Sequence, residues 1–171
     1  MKGSSIFAPE YPLSRIIKQD EHRLLHLANQ SRRETGLKPL ALHTGISHLA
    51  RVKAYDIITE NYFNHESPTY GSIYDMLRKA DIPFVRAGEN LAKGSHCDVI
   101  HCRLMNSSGH RRNILRPHFS TAGMAALSKK PSGLVVVQVF VGHHSLAFRP
   151  ERDEQINAAC CAIISSMIGP L

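Results

Sequence analysis

The run Leu134-Val135-Val136-Val137-Gln138-Val139-Phe140 limits the fold more than any other stretch of the chain. Six of its seven residues are apolar and four are valines, with no polar alternation. A β-branched run of that length reads as a strand buried on both faces, and such a strand needs cover on two sides. Thr121 to Ser128, built of small residues, reads as a second strand. "KKPSG" between the two has the composition of a hairpin turn. "FVRAGENLAKG", after Pro83 and marked by glycines, reads as a third.

The cover comes from helices. Arg15 to Thr35 carries Ile17, Leu24, Leu25, Leu27 and Ala28 and stops at Gly36. Ile46, Leu49, Ala50, Ala54, Ile57 and Ile58 recur at helical spacing between Thr44, expected as N-cap, and Asn61. Ser72 with Asp75 forms a capping box ahead of Ile73, Met76, Leu77 and Ala80. Ser95 with Asp98 repeats that signature and opens a helix through Asn106. Helices before and between three strands make an α+β chain with a small sheet covered on both faces.

Residues 1–13, interrupted by Pro9 and Pro12, read as an extended arm, 14–142 as the domain, and 143–171 as an extension. The extension contains "AACCAIISSMIG", too apolar for an isolated solvated helix, and is expected to pack on the domain. A monomer is favoured, with a dimer through that segment as the alternative.

At 171 residues a single core needs no staples. Cys97 and Cys102 are five apart, Cys160 and Cys161 are adjacent, and no CxxC pair exists, so free and mostly buried thiols are expected. The net charge is +7, which favours anionic partners such as lipid headgroups or wall polymers. The basic residues are scattered, the densest group being Arg111-Arg112 with Arg116, and no aromatic-interleaved stripe accompanies them. Nucleic-acid binding is therefore not expected. His22 and His26 stand four apart on a helix, and His143-His144 are adjacent, but no third ligand is tied to either pair, so they are read as solvent-facing. No run reaches transmembrane length, and "MKGSSIFAPEYPL" has no apolar core of a signal peptide.

Three segments place polar residues among glycines, where sites are built: "YFNHESPTYG", "AGENLAKG" and "NSSGHRRNIL". Each supplies one proton carrier or cation ligand: His65, Glu89 and His110. Taken singly, His65 can fix its loop, Glu89 can pair with Arg111 or Arg86, and His110 can cap a turn made by Gly109. Taken together they point to a shared site. Strand alternation sends Glu89 to one face and Asn90 to the other, where Asn90 needs hydrogen-bond partners. Gly88 admits a close neighbour. Ile114 and Leu115 are expected to anchor the His110 segment in the core.

With "RRETGLKPL", "YFNHESPTYGSIYDML", "AGENLAKG", "MNSSGHRRNIL" and "VVVQVF" in this order, the chain from about Leu24 to Phe140 resembles the bacterial branch of the CAP superfamily, the SCP-like domain. The resemblance implies a three-layer α-β-α sandwich with a small, mainly antiparallel sheet. It also implies a cleft of two histidines and two glutamates that in some members holds zinc or another divalent cation. His65, Glu89 and His110 match three of those positions, and Ser107 stands at the second glutamate. Leu104 replaces a common tryptophan, Asp81 a common glycine and Ala125 a strand glycine.

A cleft of His65, Glu89, Ser107, His110 and Arg111 is thus implied, with His65 and His110 as metal ligands. Ser107 removes a negative charge, so a cation is expected to be held weakly or not at all. The leading function is a binding module for a lipid, glycan or cell-wall component, without enzymatic activity. The alternatives are a metal-dependent hydrolase of wall or peptide material, and a structural or coat protein with a vestigial site. The resemblance implies export to the envelope or beyond; the missing signal peptide leaves cytoplasmic or spore-associated placement as the alternative.

Overall fold

The structure is a computed structural model that describes residues 15–129 and 133–143. The expected N-terminal arm, the C-terminal helix with Cys160 and Cys161, and the middle of the "KKPSG" turn lie outside the described residues. The elements in chain order are α1 (Lys18–Glu34), β1 (Ala41–Leu42), α2 (Thr44–Thr59), α3 (Ile73–Lys79), β2 (Arg86–Gly94), α4 (Cys97–Asn106), α5 (Ser108–Ile114), β3 (Thr121–Ser128) and β4 (Leu134–Gly142). The sheet has the order β1-β3-β4-β2. Its long pairs, β2 with β4 and β3 with β4, are antiparallel, and only β1 runs parallel to its neighbour β3.

Every residue of β4 is buried, as its composition demands. Its side chains alternate between two separate cores. Val135, Val137, Val139 and Val141 join Ala125, Leu127, Ala87 and Leu91 under α2 and α3. Leu134, Val136 and Phe140 join Ala122, Met124 and Ala126 under α1, α4 and α5. This is the three-layer α-β-α arrangement. Gln138, also at an even position, is fully buried; its Oε1 accepts from Asn90 Nδ2 at 3.1 Å, while its Nε2 is buried without a hydrogen-bond partner.

Local signals mostly act as read. The Ser72 capping box forms, with the Ser72 side chain accepting from Asp75 N–H and Asp75 accepting from Ser72 N–H. Gly36 ends α1 in the left-handed region at φ +73. Asp81 takes φ +51, which explains why a glycine suits that position and why Asp, tolerant of left-handed backbone, can stand in. Leu104 is buried in the core.

Other details differ from the sequence reading. The cap of α2 is His43, whose Nδ1 accepts from Ile46 N–H at 3.2 Å, and Thr44 is already helical. The Ser95–Asp98 box does not form: His96 precedes α4 without a side-chain cap bond, and Asp98 pairs with Arg23 of α1 instead. A fourth strand, β1, was too short to announce itself. Of the described thiols, Cys97 is buried and pushed up to about 12 by burial, whereas Cys102 is exposed. Gly109 makes no turn; it lies within α5, and a Cβ there would meet nothing within 4 Å.

Gly123 is the opposite case. A Cβ on it would sit 2.3 Å from the backbone of Ile46 and Ser47, because α2 rests directly on β3 there. Gly123→Ala is expected to cost about 3 kcal/mol or more in urea denaturation, since backbone on both sides must move. Gly109→Ala should be neutral or stabilise by up to about 1 kcal/mol through helix propensity. Equal effects of the two would contradict this packing.

Candidate functional site

β2 pairs only with β4 among the described residues, so its outer edge is where the two helical layers can approach one another. Glu89 is paired with Val139 and shares its face, toward α2. The segment between α2 and α3 folds over it and delivers His65, whose Nδ1 lies 2.6 Å from Glu89 Oε1. The pair is lopsided: the His65 side chain is 63% exposed and that of Glu89 only 3%. Burial raises the Glu89 carboxyl above its ordinary range, while the His65 bond and the charge of Lys53 oppose that rise.

The segment is held by a polar frame. Asp56, buried on α2, accepts from Tyr62 Oη at 2.6 Å and from Ser67 Oγ and Thr69 Oγ1 at 2.7 Å each. Ser67 and Gly71 exchange backbone bonds of 3.0 Å. Lys53, fully buried, donates from Nζ to His65 O at 2.8 Å and lies 5.0 Å from the centre of the Tyr62 ring. Burial lowers the Lys53 ammonium below its usual value, opposed by Glu89, Asp56 and Glu66. Tyr62 is pushed up by burial and its bond to Asp56.

From the other layer, α5 is tied to β2 by amides. Asn90 Nδ2 donates to His110 O at 3.2 Å, and Asn113 Nδ2 donates to Glu89 O at 3.1 Å and Asn90 Oδ1 at 3.0 Å. Gly88 leaves room for this contact: a Cβ there would lie 3.1 Å from both Asn113 Oδ1 and the Phe119 ring. Ile114 anchors α5 in the core and Leu115 is half-buried. His110 is half-exposed, and burial followed by the charge of nearby His65 lowers its imidazole below the ordinary histidine range. His65 and Glu89 thus form a bonded pair at the β2 edge, with His110 on α5 close enough to His65 to feel its charge. Glu89 Oε2 is buried there without a hydrogen-bond partner.

Ser107 is the half-buried junction of α4 and α5, and its carbonyl accepts from Arg111 N–H. Arg111 is exposed, donates to Met105 O at 3.0 Å, and borders a shallow hollow with Ser108, Arg112 and Arg116. The pairing of Glu89 with Arg111 or Arg86 weighed from sequence does not occur; His65 takes that place. His22 and His26 face solvent. Lys53, Asp56 and Asn113 went unread as site residues. Lys53 and Asp56 sit three apart on a helix whose neighbours at that spacing are apolar, and this was the available signal.

As to a metal, His65 Nε2 and the His110 ring are the nitrogen donors, and Glu89 orients His65 as carboxylates orient metal-binding imidazoles. Among the described residues no group of three or more His, Cys, Asp or Glu side chains is placed to hold a metal ion. Two imidazoles fall short of the three protein ligands of a resident catalytic zinc.

The three-layer sandwich with this small, mainly antiparallel sheet is the fold of an SCP-type domain. Residues 25–140 match the family model described as the cysteine-rich secretory protein family, and the chain belongs to that family. It is 42% identical over 123 residues to the uncharacterized protein YkwD of Bacillus subtilis, covering 71% of this chain and 47% of that protein. It is 31% identical over 111 residues to the uncharacterized membrane protein YlbC of the same organism, covering 64% of this chain and 32% of the relative. The chain therefore spans less than half the length of these relatives. Among solved structures, an extracellular SCP-domain protein of Bacillus anthracis superposes with TM-score 0.67 at 28% identity, over 80% of this chain and 45% of that one. An outer surface protein of Borrelia burgdorferi gives 0.70 at 18% identity, over 75% and 98%, a likeness of fold. Among the described residues no helix is long and apolar enough to cross a membrane.

The raised Glu89 carboxyl has a thermodynamic sign. The folded state holds that proton more tightly than the unfolded chain, so Glu89 removes stability as pH rises from the ordinary carboxylate value through its raised folded value. Glu89→Gln, neutral throughout, should gain stability relative to the native protein as pH rises above the ordinary carboxylate value in parallel denaturation curves. A stability difference that shrinks with rising pH would show that Lys53 and His65 outweigh burial.

Proposed function

We propose that the β2 edge around His65 and Glu89 is the ligand site of an envelope-facing binding module, and that its ligand is a hydroxyl- and amide-bearing glycan of the cell-wall type. The His65–Glu89 pair carries the proposal: buried Glu89, one oxygen bonded to His65 and the other unpartnered, orients an exposed imidazole that can exchange hydrogen bonds with a sugar hydroxyl or acetamido group. Half-exposed His110 offers further hydrogen bonds. These polar groups favour a glycan over a lipid chain, which would leave them unpaired. The extracellular description of the Bacillus anthracis neighbour supports an envelope setting. Catalysis is not part of the proposal. A divalent cation between His65 and His110 is held weakly, since Ser107 brings no charge.

Side-chain NMR of the histidines during titration with soluble peptidoglycan fragments tests it. His65 and His110 should shift together and saturate, and Glu89→Ala should weaken binding about ten- to a hundredfold, as expected for loss of a hydrogen bond to a charged group. Binding unchanged in Glu89→Ala would place the ligand elsewhere. Added zinc should not survive gel filtration. A stoichiometric zinc lost on His65→Ala or His110→Ala would favour the hydrolase reading instead.

A further inference from the structure

At the end of the sheet where β2 and β3 begin and β4 ends, two hollows lie side by side and share Pro117. The larger, about 530 Å³, is bordered by Lys38, Arg86 and His118. The smaller, about 370 Å³, is bordered by Arg111, Arg112 and Arg116. Neither has an Asp or Glu in its lining. None of these five lysines and arginines is in an ion pair among the described residues, where Asp98, Glu21 and Asp75 are taken by Arg23, Arg51 and Arg78.

Beneath them lies a sixth cation. Arg32 is 1% exposed and has no carboxylate partner among the described residues. Its guanidinium donates instead to four backbone carbonyls, Lys38 O at 2.8 Å, Ile114 O at 2.9 Å, and Arg116 O and Phe119 O at 3.0 Å each. Lys38 and Phe119 belong to the rim of the larger hollow and Arg116 to that of the smaller, so one buried side chain fixes the walls of both. A buried cation normally has a paired anion, because its charge is otherwise balanced only by dipoles. Arg116 is further fixed 5.6 Å from the centre of the Phe119 ring. The groove is concave, and every charged side chain lining it is a lysine or arginine.

We infer that this groove binds a linear polyanion with phosphodiester charges on a non-aromatic backbone, a polyol-phosphate polymer. Arginine forks match phosphate oxygens in pairs, and a row of them along a groove suits a repeating charge. Nucleic acid is disfavoured because the aromatic ring of the floor, Phe119, is 1% exposed and gives a base nothing to stack on. The groove is separate from Glu89 Oε2, and it does not depend on the glycan proposal.

The test uses the full chain with poly(glycerol phosphate), measured by calorimetry against an oligothymidylate of equal phosphate number. The polyol phosphate should bind, weakening about a hundredfold between 50 and 200 mM salt for five contacts. Lys38→Ala/Arg86→Ala and Arg111→Ala/Arg112→Ala should each weaken it about tenfold, and the equally charged control Lys79→Ala/Arg103→Ala by no more than about twofold. The altered side chains are all exposed, so melting curves should be unchanged. No binding, an equal loss in the control, or an oligothymidylate bound as tightly as the polyol phosphate would each overturn the inference.

Discussion

Burial of β4 on both faces is the constraint from which the rest of the molecule follows. A strand of alternating valines cannot be wetted on either side, so helices must be recruited to two layers. β2 is then left at an edge, with Glu89 sent to one layer and Asn90 to the other. An edge strand between two layers is the place where a loop from one and a helix from the other can meet. The His65 segment and α5 do so, each hydrogen-bonded to β2.

The electrostatics of that edge are set by burial working against pairing. Glu89 is held in low dielectric, where its charge is disfavoured, and one oxygen is given to His65 while the other has no partner. Lys53 stands behind the pair as a fully buried cation and fixes the His65 backbone at the same time. Such an arrangement gives up stability to keep a hydrogen-bond acceptor ready, which is common where a site is preorganised for a ligand. Asp56 does a related task, since three hydroxyls converge on it to fix the loop.

Much of this was legible in sequence. Periodicity marks α2 and β4, the Ser72–Asp75 box marks α3, and alternation places Glu89 and Asn90 on opposite faces. What escaped has physical reasons. β1 has two residues and its pairing is long-range, so no local pattern betrays it. α5 begins directly after Ser107, and Gly109 suggests a turn where tertiary packing of Ile114 imposes a helix. Asp98 satisfies the capping pattern yet is drawn to Arg23, 75 residues away, a partner that spacing cannot reveal. Nothing local separates Arg32 from its neighbour Arg33, and only the fold shows that one turns inward onto four carbonyls while the other stays exposed.

The central claim is that His65 and Glu89 form one oriented pair beside His110. Nitrogen-edited NMR of the histidine rings at neutral pH addresses it directly. The account predicts that His65 carries its proton on Nδ1, with a resonance shifted far downfield by the carboxylate, and that His65→Ala moves the His110 ring signals. A His65 ring protonated on Nε2 alone, together with His110 signals indifferent to its removal, would contradict it.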